Sequence, residues 1–306
     1  MLLGADPEFF VIDENYQVVN ASEVIPYSKK RPLEISCCKI YYDNILIEIN
    51  PNPAKTEDQF LHNILSSFNE VLLRIKPYRL SLQSFADIDI SKIKNKNVFE
   101  IGCNPDLNAY KMSYNRVPRK IYKTSGFRAS GGHIHIGGYP DDAINDPFLK
   151  PIFVYMLDLF LGVPSVIVDC SVDSYKRRKI YGKAGSYRPK SYGIEYRVLS
   201  PFWLQSSNTI RLIYRICEFV FDFMNEGLYK KFWNIDEQKI GNKNNNFYSC
   251  FGYDENAIIK IINECDYSLA RSCYKFISNF LPEDIIDMID EEINTKKDDI
   301  KFYSYC

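Results

Sequence analysis

Four short segments of this 306-residue chain place polar functional groups two residues apart inside apolar or glycine-rich runs. Side chains at i and i+2 of a strand point to the same face. The first segment is Asp6-Pro7-Glu8, followed by Phe9-Phe10-Val11-Ile12. Two carboxylates on one face at ~7 Å repel by roughly 2–3 kcal/mol at an effective dielectric of about 20, which an arginine, a lysine or a divalent cation would cancel. The bland alternative is a strand end with solvated carboxylates. The second segment is Ile45-Leu46-Ile47-Glu48-Ile49-Asn50, with Asp43 one bend earlier. A buried Glu48 needs a partner or takes up a proton; a sheet with one wet face would need neither. The third is Gly131-Gly132-His133-Ile134-His135-Ile136-Gly137-Gly138, which carries two of the three histidines. Neutral imidazoles are metal ligands, bases or hydrogen-bond partners, and the glycines let a ligand or backbone come close.

The fourth segment, Arg177 to Ser200, reads as a basic, glycine-rich loop feeding a strand. Seven Lys or Arg lie between residues 176 and 190: Lys176, Arg177, Arg178, Lys179, Lys183, Arg188 and Lys190. Such groups suit polyphosphate oxygens. Glu195 and Arg197 then share a strand face. A solvated loop and a surface ion pair would be the undemanding reading. Together the segments supply hard oxygen ligands, an imidazole pair and guanidinium groups, the set that magnesium–nucleotide chemistry uses. Gly-x-x-x-x-Gly-Lys-Ser/Thr, Gly-x-Gly-x-x-Gly and Gly-x-Ser-x-Gly patterns are all absent.

The elements that must position these groups point to an α+β fold. Leu2–Ile12 reads as one strand, turned at Asp13-Glu14-Asn15, with Gln17–Val19 pairing back. Cys38–Tyr42 and Ile45–Asn50 read as strands, as do Leu80–Ser84, Val98–Ile101, Gly132–Ile136 and Tyr192–Leu199. Thr56 with Gln59 predicts a capped helix whose apolar residues recur from Phe60 to Ile75. Phe148–Leu161 predicts a helix ending at Gly162 before Pro164, and Thr209–Met224 another. Residues 87–97 and 235–247 read as surface loops, and 255–292 as short helices. Strands and helices do not alternate, which disfavours a doubly wound parallel sheet.

Bulk properties exclude several classes. Net charge is −1, with 38 basic and 39 acidic residues, so nothing draws the whole chain to nucleic acid or an anionic membrane. The nine cysteines form no Cys-x-x-Cys pair, which disfavours a zinc ribbon. Asp6 and Glu8 interrupt any signal-peptide core, and the apolar run near Ile152–Val168 holds Asp158 and Pro164, so it reads as buried and not membrane-spanning. Reduced cysteines and these absences predict a cytoplasmic protein.

Gly4-Ala5-Asp6-Pro7-Glu8-Phe9-Phe10, Asp43-Asn44 with Glu48-Ile49-Asn50-Pro51, Gly131–Gly137, and Tyr181–Lys190 with Tyr192–Arg197 stand in an order that resembles the phage-type carboxylate–amine ligases. These belong to the glutamine synthetase/glutamate–cysteine ligase superfamily. The resemblance covers residues 1–205. It implies one domain over 1–306, with a curved, mainly antiparallel sheet of glutamine-synthetase catalytic type and helices on one face. Residues 230–306 would be a helical C-terminal extension.

The resemblance also implies ATP and Mg²⁺ or Mn²⁺, and a host cytoplasm if the gene is phage-borne. Metal ligands would be Asp6, Glu8, Glu48, His135 and Glu195. Asp6 stands where many members have Glu, so metal number and spacing can differ. One imidazole of the His-x-His pair binds metal and the other faces phosphate or substrate; which does which stays open, with His135 taken as ligand and His133 as catalytic. Arg188 and Arg197 would meet ATP phosphates and the transferring phosphoryl group, joined by Arg178 and Lys183. Arg128 and Asn50 are candidates for substrate contact. The implied reaction makes an amide from a small-molecule or peptide carboxylate and an amine through an acyl phosphate. A homo-oligomer is compatible with it. A guanidino-kinase-like phosphotransferase, a zinc hydrolase built on His133 and His135, and a non-catalytic binding protein are the rivals.

Overall fold

The computed structural model describes residues 1–89, 106–115, 126–169, 171–231, 255–295 and 302–303. The expected strand at Val98–Ile101 and the loop at 235–247 lie outside them, as does most of the loop at 87–97. Mixed helix and open antiparallel sheet make the fold α+β.

One sheet contains β1 (Leu2–Ala5), β9 (Leu107–Asn108), β10 (Ser113–Tyr114), β12 (Ile134–Gly137), β13 (Ser186–Lys190) and β14 (Gly193–Tyr196), in the order β1-β12-β14-β13-β9-β10. A second contains β2 (Glu8–Ile12), β3 (Val18–Val19), β4 (Leu33–Glu34), β5 (Cys38–Asp43), β6 (Leu46–Pro51), β7 (Arg79–Ser81) and β15 (Phe302–Tyr303), in the order β15-β7-β2-β6-β5-β4, with β3 on β2. A separate pair joins β8 (Phe85–Asp87) to β11 (Phe127–Ala129).

Leu2–Ile12 is therefore two strands in two sheets, not one. The break falls at Asp6-Pro7, where proline has no N–H to give a ladder. The Asp6 N–H donates to His133 O (3.3 Å) and the Glu8 N–H to Gly131 O (2.8 Å), while Pro7 O accepts from Ile49 N (3.2 Å). This short crossing ties the histidine strand of one sheet to the Glu48 strand of the other.

Both sheets obey the period of two. Leu3, Ala5, Phe9, Val11, Ile40, Ile47, Ile49, Ile134, Ile136, Tyr187, Ile194 and Tyr196 enter one continuous core. Their neighbours Asp6, Glu8, Tyr41, Glu48, His135, Arg188, Glu195 and Arg197 fall in the alternate positions, on the opposite face. Phe10, Leu46, Ala86 and Ile88 cover part of that second face.

Helices cover the first face. The short α1 (Ala21–Val24) is capped by Asn20. Thr56 caps α2 (Glu57–Ile75), accepting from Gln59 N at 3.3 Å, although the Gln59 side chain returns to Lys55 N and not to the cap residue. Its apolar stripe Phe60, Ile64, Phe68, Val71, Leu72 and Ile75 is buried against β5, β6 and β7. The segment expected to stop at Gly162 instead continues. α3 (Leu149–Leu157) passes through a π turn at Asp158–Gly162 into α4 (Val163–Val168). The wider turn absorbs Pro164, which cannot donate to an α-helical ladder. Leu149–Val168 is long and apolar enough to cross a membrane, but 94% of its most apolar window is buried inside the fold.

Arg177–Lys179 also differ from expectation: they lie on α5 (Val172–Ile180), capped by Ser171, and not in a loop. α6 (Ser207–Asn225) begins with a Ser206/Thr209 capping box and packs on α2 and α3. α7 (Glu255–Glu264), α8 (Tyr267–Ile277) and α9 (Glu283–Asn294) place Ile258, Ile262, Ile277 and Ile289 in the same core as the sheets.

Candidate active site

The charged face holds two groups of donor atoms, one on each sheet. Asp6, His135 and Glu195 offer ligand atoms within 4.8 Å of one another, and so do Glu8, Asp43 and Glu48. Strand register explains both. His135 pairs with Gly4 on one side and Glu195 on the other, and Glu195 pairs with Arg188. On the second sheet Glu8 pairs with Glu48, and Glu48 with Tyr41. The hairpin between β5 and β6 turns at Asn44 in the left-handed region (φ 57°), which returns Asp43 alongside them.

The Glu8–Asp43–Glu48 group is short of positive charge. Burial, then the neighbouring Glu48 and Asp43, push Glu8 up to about 8. Burial, then Asp6, push Glu48 up to about 7 against the pull of Lys29. Lys29 reaches only 3.5 Å from Asp43 and 3.8 Å from Glu48, with its side chain 63% exposed. Glu8 accepts from Gly131 N at 2.7 Å. Glu48 accepts from the Tyr41 hydroxyl and from Asn50 Nδ2 (3.3 Å), while Asn50 Oδ1 accepts from Tyr41 at 3.1 Å. Asn50 thus orients Glu48 through Tyr41. A divalent cation fits this group, because three close carboxylates with one loose ammonium are what such an ion neutralises.

The other group is compensated differently. Glu195 is ion-paired with Arg197, Lys190 (2.6 Å) and Arg188 (3.4 Å). Burial would raise its pKa, but Arg197 together with His133 and His135 outweighs that and holds it down at about 2. Burial would likewise raise Asp6, yet the charges and hydrogen bonds of His133 and His135 hold it well below the carboxylate range. Asp6 Oδ1 lies 3.0 Å from His133 Nδ1, and Asp6 Oδ2 lies 3.2 Å from His135 Nε2. His135 Nε2 is buried beside Asp6 Oδ2. An imidazole nitrogen set against two carboxylates also fits a cation.

The two imidazoles diverge in role. His133 is spent on both nitrogens, with Nε2 2.8 Å from the Tyr181 hydroxyl. Burial, then Arg197, lower its pKa. Gly131 makes room for it: a Cβ there would lie 2.2 Å from His133 Nε2. The zinc-hydrolase reading required both histidines on one ion; only His135 joins a donor group among the described residues.

The arginines also separate. Arg197 is 3% exposed at its side chain and engaged at every nitrogen, with Asp106 (2.8 Å), Glu195 and the Tyr181 hydroxyl. Arg188 is 23% exposed and reaches Asp106 at 3.3 Å, leaving its guanidinium nearer the opening. Arg178 is turned away, donating to Gly182 O at 2.8 Å. Buried Arg177 donates to Ser130 O, Val198 O and Leu199 O at 2.7–2.8 Å, clamping the segment before the histidines to the segment after Arg197. Gly182 (φ +66°) packs on it so closely that a Cβ would meet Arg177 Nη1 at 2.1 Å. Lys183 is exposed. Arg128, buried on β11, donates to its neighbour Phe127 O at 2.6 Å.

The glycine-rich turn does not offer its amides outward. Ala184 N donates to Asn263 Oδ1 (2.9 Å), Gly185 N to Asp158 Oδ2 (2.6 Å) and Ser186 N to Lys183 O (3.1 Å). Any anion at this edge meets side chains, not a backbone cradle. Residues overlooked in the sequence are Asp106, Tyr41, Tyr181, Tyr192 and Lys29, and Asp43 as a donor; Lys190 was counted in the basic run but not placed beside Glu195. Tyr41 and Lys190 were readable from strand pairing with Glu48 and Gly193; Asp106 carries no local signal.

Residues 122–295 match the family described as Phage phiEco32-like COOH.NH2 ligase-type 2. The chain belongs to this family. The matched segment includes both histidines, the β13–β14 hairpin and the C-terminal helices; Asp6, Glu8, Asp43 and Glu48 precede it. No curated protein matches the chain. Family membership makes the protein an enzyme that joins carboxyl and amine groups.

Proposed function

We propose that this ligase is ATP-dependent and works through an acyl phosphate, on a site of glutamine-synthetase type. The observation that carries the reading is the pair of oxygen-rich donor groups, Asp6–His135–Glu195 and Glu8–Asp43–Glu48, set side by side by the Asp6-Pro7-Glu8 crossing. Divalent cations bound there would neutralise phosphate charge and draw the γ-phosphate toward an acid substrate. Two separate groups suit a polyphosphate better than a single hydrolytic ion would.

The chain's own residues then have distinct tasks. Arg188 and Lys190, at the open edge of the Glu195 group, meet the phosphate oxygens, with Lys183 exposed beyond them. Buried Arg197 holds Glu195, Asp106 and Tyr181 in place and contributes fixed positive charge. In the first step a substrate carboxylate oxygen attacks the γ-phosphorus and ADP leaves. In the second an amine nitrogen attacks the acyl carbon, phosphate leaves and the nitrogen releases a proton.

The test is ATP turnover by the purified chain with panels of carboxylates and amines, read as ADP and product mass. Turnover is expected only with Mg²⁺ or Mn²⁺, only with acid and amine together, and in neither Glu8→Gln nor Glu195→Gln. Metal-independent turnover, or full activity in both variants, overturns the reading. Phosphorylated acceptor without amide would make it a phosphotransferase.

A further inference from the structure

Five side chains form one line across the site: Tyr181, His133, Asp6, His135 and Tyr192. The line is not symmetric. On the buried side both nitrogens of His133 are hydrogen-bonded, Nε2 to the Tyr181 hydroxyl and Nδ1 to Asp6. On the outer side, where the His135 side chain is 20% exposed, the Tyr192 hydroxyl lies 2.5 Å from Nδ1 and Asp6 Oδ2 lies 3.2 Å from Nε2.

A neutral imidazole carries one N–H and one lone pair. If Nδ1–H donates to the Tyr192 oxygen, the Nε2 lone pair faces Asp6 and Glu195. Such an arrangement is repulsive when empty and favourable around a cation. Tyr192 is well placed to impose it. It sits in the turn between β13 and β14, and its carbonyl accepts from Gly138 N at 3.1 Å, beside the strand that bears His135. The two rings lie 6.2 Å apart at 34°.

We propose that Tyr192 is a positioning residue that holds His135 with Nε2 turned to Asp6 and Glu195, so that His135 and not His133 ligates the cation. This rests on the cation-site reading above. Outer-shell partners that fix a ligating imidazole typically change metal affinity 10–100-fold when removed.

The test measures Mn²⁺ binding to the full nucleotide-free chain by electron paramagnetic resonance. Tyr192→Phe is expected to weaken one Mn²⁺ site about 10–100-fold at unchanged melting temperature. Tyr181→Phe should leave that affinity unchanged. Bound Mn²⁺ should show coupling to one imidazole nitrogen, lost in His135→Ala and kept in His133→Gln. Wild-type affinity in Tyr192→Phe, or nitrogen coupling surviving in His135→Ala, overturns the proposal. A wild type that binds no Mn²⁺ instead overturns the cation-site reading itself.

Discussion

At the residue scale the site is a problem in charge balance, solved differently in its two halves. Glu195 and Asp6 are matched by guanidinium, ammonium and imidazole groups, whereas Glu8 and Glu48 are crowded by carboxylates and burial. A carboxyl whose folded pKa is raised binds its proton more tightly in the native state. Its stabilising contribution is full below the unfolded value of 4.5 and is lost as pH rises through about 7 for Glu48 and about 8 for Glu8. Melting temperature in a chelator should therefore fall as pH rises across this window. Mg²⁺ should reverse the fall, giving a larger increment above about pH 8 than near pH 6. A Mg²⁺ increment that is the same at both ends, measured by differential scanning fluorimetry, would show that these carboxyls do not face a cation. Sequence made Glu8, Glu48 and both histidines visible because charge inside a β-pattern is unusual. It could not show that Asp6 and Glu8 serve different groups, since that depends on the chain changing sheets at Pro7.

At the element scale, the π turn in the long apolar helix anchors the site from behind. Asp158 is fully buried and accepts from Tyr110 (2.9 Å), Tyr196 (2.6 Å) and Gly185 N (2.6 Å). Burial pushes its pKa up to about 6. One carboxylate thereby joins the helix, the β14 strand that bears Glu195 and the turn that leads to Arg188. Asp158→Ala leaves three buried donors without an acceptor, and each costs about 1–3 kcal/mol. The expected loss is about 3 kcal/mol or more in urea denaturation, with Asp158→Asn less affected. A loss under about 1 kcal/mol would mean the turn is held by other contacts. The same residue seemed in the sequence only a mark against membrane insertion. Periodicity shows that a helix is apolar all round; it does not show which neighbour a lone aspartate reaches.

At the scale of the whole molecule, the C-terminal helices belong to the body of the enzyme. Ile258, Ile261, Ile262, Ile277, Ile285 and Ile289 are each at most 1% exposed. α7 packs on α5, α8 on α4, and α9 on α6. Glu292 accepts from Gln205, Ser206 and Asn208 at 3.0–3.3 Å around the start of α6, and Asn263 holds Ala184 of the site's turn. Fully burying one such side chain is worth about 1.5–3 kcal/mol, and a domain's net stability is about 5–15 kcal/mol. A chain ending at Lys231 is expected to lose cooperative thermal unfolding and near-ultraviolet circular dichroism. A truncated protein that still melts cooperatively would establish residues 255–295 as a separable appendage.

The sequence by itself determined the α+β class, the helix from Thr56 and the helix over Thr209–Met224, and most of the residues that line the candidate site. Those follow from local rules: period, capping and the cost of charge in a β-strand. Tertiary structure alone decided how the carboxylates divide into two groups, that Arg177 and Arg178 are spent on backbone carbonyls, and that the glycine turn faces inward. It also decided that His133 is enclosed while His135 joins the Asp6–Glu195 donor group. Each of these depends on partners far away along the chain, Asp6 with His133, Arg197 with Asp106, Ala184 with Asn263. No local pattern encodes such pairings, because they are set by strand order and register.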